Sequence, residues 1–361
     1  MRAWRFYGFN DMRLDEVERP VRREGHVIAD ILCVQPSVTE AQLAYGIPTL
    51  AYDQIKQRLE TSAPIQLFGH EFCARIVESD AGSQFRPGDR VAARAKLPCG
   101  ECSLCDTGRS ELCRRGPIIG FQLPGCFAEA ALLPEIALVK VDDRISDNEA
   151  ACLQSLSDAL AAVDTAEIRM GESVAIFGQG SMGLECMQVA RASGAGAIMT
   201  VDVRAEACEV SKELGADYAI NASDNDPIEV IHELTDGNGA DIVFECAGGS
   251  PRQGLSGTKT LTQAVDAVRS GGKLVIVSWF GQPMELNVDL LRERSLRCLF
   301  PDISTLGHLE HTVRLVASGR VRVKPTITHV LSGIDAVPEA FEITANKGKY
   351  GAINPAQVNM S

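Results

Sequence analysis

The feature that most constrains the fold of this chain is a glycine-rich turn between an apolar run and a helical segment. The run Ser173-Val-Ala-Ile-Phe177 is typical of a buried strand, and Gly178-Gln-Gly-Ser-Met-Gly183 follows it at once. A helix is predicted from about Met182 to Ala192. In such a unit the first glycine permits a tight turn, the second lets the backbone approach a phosphate, and the third allows close helix–strand packing.

Strands and helices continue to alternate after this turn, which predicts a doubly wound parallel sheet. Helical segments separate the further predicted strands, which are Ala197-Ile-Met-Thr-Val201, Tyr218-Ala-Ile220, Asp241-Ile-Val-Phe-Glu245 and Lys273-Leu-Val-Ile-Val277.

The glycine-rich turn indicates a dinucleotide site. The helix that begins near Ser181 and Met182 presents free N–H groups and partial positive charge to a pyrophosphate. Asp202 ends the next strand, 19 residues after Gly183. A carboxylate there accepts hydrogen bonds from ribose hydroxyls and repels a 2′-phosphate, which favours NAD over NADP. Because Arg204 lies two residues further on, NADP stays possible as the cofactor. A strand–helix–strand unit that binds no ligand is the alternative.

The first 150 residues have a different texture, with short strands separated by Gly, Pro and Asp. They include the pattern C-x2-C-x2-C-x7-C, formed by Cys99, Cys102, Cys105 and Cys113. Four thiolates on one short loop suit tetrahedral Zn²⁺, and a filled coordination shell makes such a zinc structural. Four unligated thiols on a polar loop are the alternative.

Composition narrows the class of partner. The chain has 361 residues, a net charge of -13 and 12 cysteines. That charge disfavours nucleic acid and anionic membranes as partners. Without an apolar run of about 20 residues or a signal-peptide core, a cytoplasmic location is expected. The eight cysteines outside the lobe are expected to be mostly buried thiols rather than a disulfide framework.

The cysteine lobe upstream of the dinucleotide turn resembles the medium-chain, zinc-containing alcohol dehydrogenase/reductase family. Further matching motifs are Gly69-His-Glu71, Pro87-Gly-Asp-Arg-Val91, Gly125-Cys-Phe-Ala-Glu129, Glu245-Cys-Ala-Gly248 and Gly271-Gly-Lys273. The resemblance implies an α/β protein with a GroES-like β-rich catalytic domain over residues 1–155, which carries the zinc lobe. A Rossmann NAD-binding domain over 156–297 and a C-terminal segment, 298–361, that completes the catalytic domain would follow.

The resemblance also implies hydride transfer between NAD(H) and a small alcohol or carbonyl compound, in a homodimer or homotetramer. It places Cys246, Ala247 and Val277 among the cofactor-binding residues.

The family's catalytic zinc position departs from the usual pattern. In the stretch from Gln35 to Gly46, Ser37 stands where the family has a cysteine ligand, and Thr39 retains a hydroxyl. Glu40 replaces an aspartate, and Gln42 replaces the histidine that relays protons.

The remaining positions of that site are mixed. His70 and Glu71 match the second ligand and its acidic neighbour, while Gln154, 24 residues before Gly178, matches the third ligand. Asp158 is the nearby carboxylate that could substitute, and Cys33 could do so after a loop shift. Neutral hydroxyl and amide oxygens bind zinc weakly, so a second zinc is expected to be weak or absent. His70 as a structural histidine is the alternative for that residue.

Without zinc, other groups must handle the proton. Thr39 is the hydroxyl donor by position, and His70 is the candidate general acid/base. Gln42 can donate or accept a hydrogen bond but cannot change charge.

The leading hypothesis is therefore an NAD-dependent alcohol dehydrogenase or ketoreductase. A zinc-free reductase of a conjugated double bond or iminium is the second, and a non-catalytic NAD(H)-binding paralogue is the third.

Overall fold

The described part of this computed structural model, residues 1–248, 258–281 and 283–360, divides into two units. The first comprises Met1–Ser157, Ile303–Ser318 and Ile327–Ser361, and the second comprises Asp158–Asp302 and Gly319–Thr326.

The division differs from the expected one in the C-terminal segment. The resemblance implies that residues 298–361 complete the catalytic domain, but Gly319–Thr326 lies in the second unit. There, the Arg322 N–H donates to Oε1 of Gln188 (2.8 Å), and Nε2 of Gln188 donates to the Arg322 carbonyl (3.2 Å). These two hydrogen bonds join residues that are 134 positions apart in the sequence. The periodicity of the sequence does not reveal such a contact.

The strands, numbered along the chain, are as follows. They are β1 (Arg2–Gly8), β2 (Asp11–Glu16), β3 (His26–Gln35), β4 (Glu71–Glu78), β5 (Arg90–Ala93), β6 (Ala130–Pro134), β7 (Leu138–Lys140), β8 (Val174–Phe177), β9 (Ile198–Asp202), β10 (Tyr218–Asn221), β11 (Ala240–Glu245), β12 (Val268–Ile276), β13 (Arg297–Leu299), β14 (Val330–Ser332) and β15 (Gln357–Asn359).

The helices are numbered in the same way. They are α1 (Val38–Ala44), α2 (Tyr52–Ser62), α3 (Ser103–Asp106), α4 (Asp147–Ala151), α5 (Leu153–Ala166), α6 (Ser181–Ala192), α7 (Ala205–Glu213), α8 (Pro227–Leu234), α9 (Thr258–Ala267), α10 (Val288–Glu293), α11 (Leu306–Ala317), α12 (Val337–Ala345) and α13 (Lys347–Tyr350). Across the described residues, none of these helices has the length and apolarity that crossing a membrane requires.

The first unit is built on a mostly antiparallel sheet. Its strand order is β14-β15-β3-β4-β5-β7, and β6 also pairs with β3. The C-terminal strand β15 joins β3, so that Val358 lies opposite Val34. Helix α12 adds Phe341, whose ring lies 5.0 Å from Phe127 and 6.0 Å from Phe6. The end of the chain therefore completes the core of this unit.

The second unit is a six-stranded parallel sheet in the order β10-β9-β8-β11-β12-β13. The first strand of this sheet along the chain is the central strand β8. The next two strands, β9 and β10, add outward on one side of β8, and β11 then pairs with β8 on its other side. This reversal creates the topological switch point at which doubly wound sheets bind ligands. The predicted α/β architecture, with a β-rich domain and a doubly wound sheet, is confirmed.

Candidate functional site

The glycine-rich turn connects β8 to α6. Gly178 has φ of +90°, and a Cβ there would lie 2.7 Å from the N and Cα atoms of Ala247. A Cβ on Gly183 would lie 1.8 Å from the Gly178 carbonyl oxygen. Gly180 precedes the first residue of α6 and has no side chain to cap the helix. The first N–H groups of α6 are therefore available to an anion.

Asp202 ends β9 beside this turn. Its Oδ2 accepts from the Gln179 N–H (2.7 Å), and its Oδ1 accepts from the Arg204 N–H (2.9 Å) and Nε (3.3 Å). Ser181 and Met182, at the start of α6, are half-buried. The carboxylate is thus held next to the turn, with the Arg204 guanidinium bound to it.

The other predicted cofactor residues lie at the same edge of the sheet. The Cys246 N–H donates to the Phe177 carbonyl (2.8 Å), which places the end of β11 beside the turn. Ala247 lies against Gly178. The Val277 N–H donates to the Glu245 carbonyl (3.0 Å), which brings the end of β12 to the same level. The fold therefore gathers this predicted set at the switch point.

The four lobe cysteines come together around α3. Sγ of Cys102 lies 3.5 Å from Sγ of Cys105 and 3.8 Å from that of Cys113, and the Cys99 and Cys105 sulfurs are 4.0 Å apart. All four sulfurs lie within 4.8 Å of one another. Sulfurs at the corners of a zinc tetrahedron are about 3.8 Å apart, given Zn–S bonds of about 2.3 Å. The lobe fits a zinc ion.

The backbone of the lobe favours thiolates. The Cys99 N–H donates to Sγ of Cys113 at 3.4 Å and lowers the pKa of that thiol to about 6. The Cys105 N–H lowers the pKa of Cys102 in the same way. Because a thiolate is the metal-binding form of cysteine, these amides favour a cation at Cys102 and Cys113, whereas burial raises the pKa of Cys105 to about 11.

His70 pairs with a buried carboxylate. Its Nδ1 atom lies 2.6 Å from Oε1 of Glu40, which is fully buried at the N-terminal end of α1. The same oxygen accepts from the Gly69 N–H (2.8 Å). The Glu40 carboxylate therefore lies beside Nδ1, and Nε2 is the second titratable nitrogen of the same imidazole.

Ser37 acts as a helix cap. Its hydroxyl accepts from the Glu40 N–H (3.1 Å), and Oε2 of Glu40 accepts from the Ser37 N–H (3.0 Å). This reciprocal pair is a capping box for α1. Thr39 and Gln42 lie on the same helix and are half-buried, so α1 and its N-cap carry three of the predicted site residues.

Glu71 is the second buried carboxylate beside His70. Its Oε1 lies 4.0 Å from Nε2 of His70, and its Oε2 accepts from Nε2 of Gln35 (2.5 Å). Oε1 of Gln35 accepts from the side chains of Asn354 (2.9 Å) and Gln357 (2.8 Å). Asn354 and Gln357 of the C-terminal segment thereby orient Gln35, which in turn holds Glu71.

The residues at the second zinc position do not fit that ion. The Ser37 hydroxyl is occupied as a helix cap, and Gln154 contributes a neutral amide near the start of α5. Within the described residues, the lobe is the one group of three or more His, Cys, Asp or Glu side chains arranged to hold a metal. Cys33 lies fully buried on β3, and burial raises the pKa of its thiol to about 12.

Three features of the site escaped the sequence analysis. The contact between Glu40 and His70 and the Gln35 network join residues 30 to 322 positions apart, so the sequence carries no local signal for them. The capping box did have a signal, because Ser37-Val-Thr-Glu40 has the S-x-x-E pattern of a helix start.

Two family models match this chain. The alcohol dehydrogenase GroES-like domain matches residues 44–143, and the zinc-binding dehydrogenase model matches residues 181–302.

Characterised relatives extend the match over the chain. L-threonine 3-dehydrogenase of Pyrococcus furiosus is 30% identical over 345 residues, which cover 94% of this chain and 93% of that protein. Sorbitol dehydrogenase of Halalkalibacterium halodurans is 31% identical over 272 residues, with coverage of 74% and 77%. A zinc-binding dehydrogenase from Sinorhizobium meliloti 1021, solved with NADP bound, superposes with a TM-score of 0.85 at 27% identity, covering 99% of this chain and 98% of its own.

Proposed function

This chain belongs to the zinc-containing medium-chain dehydrogenase/reductase family, and we propose that it is an NAD-preferring member that works with a structural zinc alone. It is an oxidoreductase that transfers hydride between a nicotinamide cofactor and a small alcohol or carbonyl compound. In our proposal the acid/base role falls to His70, oriented by Glu40.

The pairing of His70 with Glu40 carries this proposal. In our proposal the Glu40 carboxylate, 2.6 Å from Nδ1, keeps a proton on that nitrogen, and Nε2 accepts the proton of an alcohol. The oxidised nicotinamide supplies hydride acceptance when it is bound. As the alcohol carbon loses hydride, its O–H proton passes to Nε2 of His70, and the product is the carbonyl compound. In the reverse direction protonated His70 returns the proton to the oxygen.

Thr39 has a supporting role in this scheme. By its position in the family motif it donates a hydrogen bond to the substrate oxygen, and it lies one residue before Glu40 on α1. A hydroxyl donor is a weaker electrophile than a zinc ion, so the scheme favours substrates with an activated carbonyl group.

Asp202 supports NAD as the preferred cofactor. Its carboxylate lies beside the glycine-rich turn and opposes a 2′-phosphate. The Sinorhizobium meliloti relative was solved with NADP. In this chain the Arg204 guanidinium is bound to Asp202 itself, which lowers its availability to a phosphate.

A structural zinc, one per chain, is proposed in the cysteine lobe, on the sulfur spacing given above. A cytoplasmic location is also part of the proposal, since twelve cysteines outside any disulfide suit a reducing compartment.

A second copy of this chain is the proposed partner. Strand β13 forms one edge of the parallel sheet. Exposed Phe300 (67%) follows β13 directly, and exposed Trp279 (62%) follows the neighbouring strand β12. An open sheet edge with exposed aromatic groups suits pairing with another chain. Sedimentation analysis should give a dimer or tetramer, and Phe300→Glu should shift the protein towards the monomer. A monomeric parent protein would contradict this part.

The central test is metal content measured together with turnover. Purified protein should contain about one zinc per chain and should exchange hydride between NAD(H) and members of a panel of polyols, L-threonine, ketones, enals and iminiums. Two zincs per chain would contradict the assignment of His70. Turnover of enals or iminiums alone would favour a double-bond reductase, and NADH binding without any turnover would favour a non-catalytic paralogue.

A further inference from the structure

Glu245 is the last residue of β11 and lies at the cofactor edge of the parallel sheet. In the strand register it lies opposite Phe177, the residue that precedes Gly178. Glu245 is fully buried. A buried carboxylate is costly unless it is well hydrogen-bonded, so its contacts indicate what it does.

The side chain of Glu245 holds the segment that follows it. Oε1 accepts from the N–H groups of Gly248 (2.8 Å) and Ala247 (3.2 Å), and from the hydroxyl of Thr260 on α9 (2.9 Å). Its backbone carbonyl also accepts from the Val277 and Ser278 N–H groups, at 3.0 and 3.2 Å. One residue thereby joins its own turn, the end of β12 and α9.

The turn 246–248 is tightly packed on both sides. On one side, a Cβ on Gly178 would lie 2.7 Å from the N and Cα atoms of Ala247. On the other side, a Cβ on Gly248 would lie 2.3 Å from Cβ of Ser278. Any shift of Ala247 towards the glycine-rich turn must therefore move Gly178, because close-packed interiors have no room to absorb it.

We propose that Glu245 is a positioning residue for the nicotinamide cofactor, because its carboxylate fixes the turn 246–248 on which the Gly178–Gly183 turn is packed. The inference rests on the proposed function, which makes the Gly178–Gly183 turn the cofactor site. It assigns Glu245 no contact with the cofactor.

The same strand supplies a matched control. Asp241, near the other end of β11, accepts from the N–H and hydroxyl of Ser173 and from Nε of Arg269. Its hydrogen bonds resemble those of Glu245 in number, but they lie at the opposite edge of the sheet from the turn. Loss of either carboxylate should lower the thermal midpoint, whereas loss of Glu245 should also weaken cofactor binding.

The test measures NADH dissociation constants and thermal midpoints of the full-length protein. Glu245→Ala should weaken NADH binding by about tenfold or more, the equivalent of one lost charge-assisted hydrogen bond. Glu245→Gln keeps an acceptor oxygen and should bind within about threefold of the parent. Asp241→Ala should also bind within that range despite a lower midpoint. If Glu245→Ala does not fold, NADH binding is measured in Glu245→Asp instead. Its side chain is one methylene shorter, so this variant should also bind NADH more weakly than the parent.

Three results would overturn the proposal. The first is parent-like NADH binding, within about threefold, by both Glu245→Asp and any folded Glu245→Ala protein. The second is an equal loss of NADH affinity in Asp241→Ala, which would reduce Glu245 to a general stabiliser of the fold. The third is a parent protein that does not bind NADH, which removes the proposed function as well and so differs from the other two.

Discussion

His70 Nδ1 lies 2.6 Å from Oε1 of Glu40, although the two residues are 30 positions apart, with Glu40 on α1 and His70 just before β4. Glu40 also closes the capping box of α1 and accepts from the Gly69 N–H. The carboxylate that orients the imidazole is therefore itself fixed by a helix N-terminus and by a backbone amide. Such preorganisation is what an acid/base group needs when no metal polarises the substrate.

Removal of His70 should abolish most turnover. His70→Ala is expected to lower kcat by about 10²–10⁴-fold, the usual range for loss of a general acid/base, and to leave NADH affinity unchanged. Thr39→Val should do similar damage because it removes the hydroxyl but keeps the shape. His329→Ala, which alters a half-buried histidine of the same unit, serves as the control in steady-state assays. Parent-like kcat in both site variants would refute the catalytic assignment.

Asp202 should set the cofactor preference. Asp202→Ala is expected to weaken NADH binding by about tenfold, because it removes a hydrogen-bond acceptor for the ribose. It should also reduce the difference in affinity between NADH and NADPH, because the charge that repels a 2′-phosphate is lost. Asp217→Ala is the matched control, since Oδ2 of Asp217 accepts from the Ile198 N–H at the opposite end of β9. Fluorescence titration with both cofactors measures the effect. Tighter binding of NADPH than NADH by the parent would contradict the preference.

The cysteine lobe should account for all bound zinc. Cys113→Ser is expected to lose the metal and lower the thermal midpoint, because three thiolates and a hydroxyl form a poorer site. Cys298→Ser, at a half-buried thiol of the second unit, should keep about one zinc per chain. Elemental analysis distinguishes the two variants. After chelation the lobe thiols should react first with an alkylating agent, since burial raises the pKa of the Cys33 thiol to about 12. Full zinc in Cys113→Ser would contradict the site.

Asp241 should make stability depend on pH. Burial acts to raise the pKa of its carboxyl, but hydrogen bonds from Ser173 and Arg269 outweigh burial and hold the pKa below its usual value. Its stabilising effect is therefore present above the unfolded-state pKa of about 3.9 and is lost as pH falls through the lower folded-state value. Asp241→Asn should cost about 1–3 kcal/mol at pH 6 by urea unfolding. A difference from the parent that grows towards pH 3 would contradict this sign.

Local patterns predicted the cofactor turn and the lobe because each depends on residues close together in sequence. The Gly178–Gly183 turn and the lobe cysteines carry their geometry in short spacings, and the alternation of strands and helices predicted the parallel sheet. The contact of Glu40 with His70 depends instead on how α1 packs beside the start of β4. Likewise, the bond from Gln357 to Gln35 forms only after the C-terminal strand β15 joins β3. Tertiary packing decides such contacts, so the catalytic site was less predictable than the cofactor turn.

The proposed loss of the second zinc can be tested by rebuilding its ligands. The variant Ser37→Cys with Gln154→Glu restores a thiolate and a carboxylate to accompany His70, a set that zinc accepts. We expect about two zincs per chain, compared with one in the parent. Ser37→Cys also lowers the free energy of unfolding, because it removes a helix cap worth about 1 kcal/mol. The metal-free variant should therefore unfold at a lower temperature than the parent, and added zinc should restore its midpoint.

A second capping box provides the control for this experiment. Ser146 caps α4 through Glu149 just as Ser37 caps α1 through Glu40. Ser146→Cys with Gln154→Glu therefore introduces the same two residue types and loses an equivalent cap, but it places the thiol away from His70. This control should keep one zinc and gain no stability from added metal. If the first variant also keeps only one zinc, Ser37 and Gln154 do not correspond to the family's ligand positions, and the loss of zinc in this chain involves the backbone as well as the side chains.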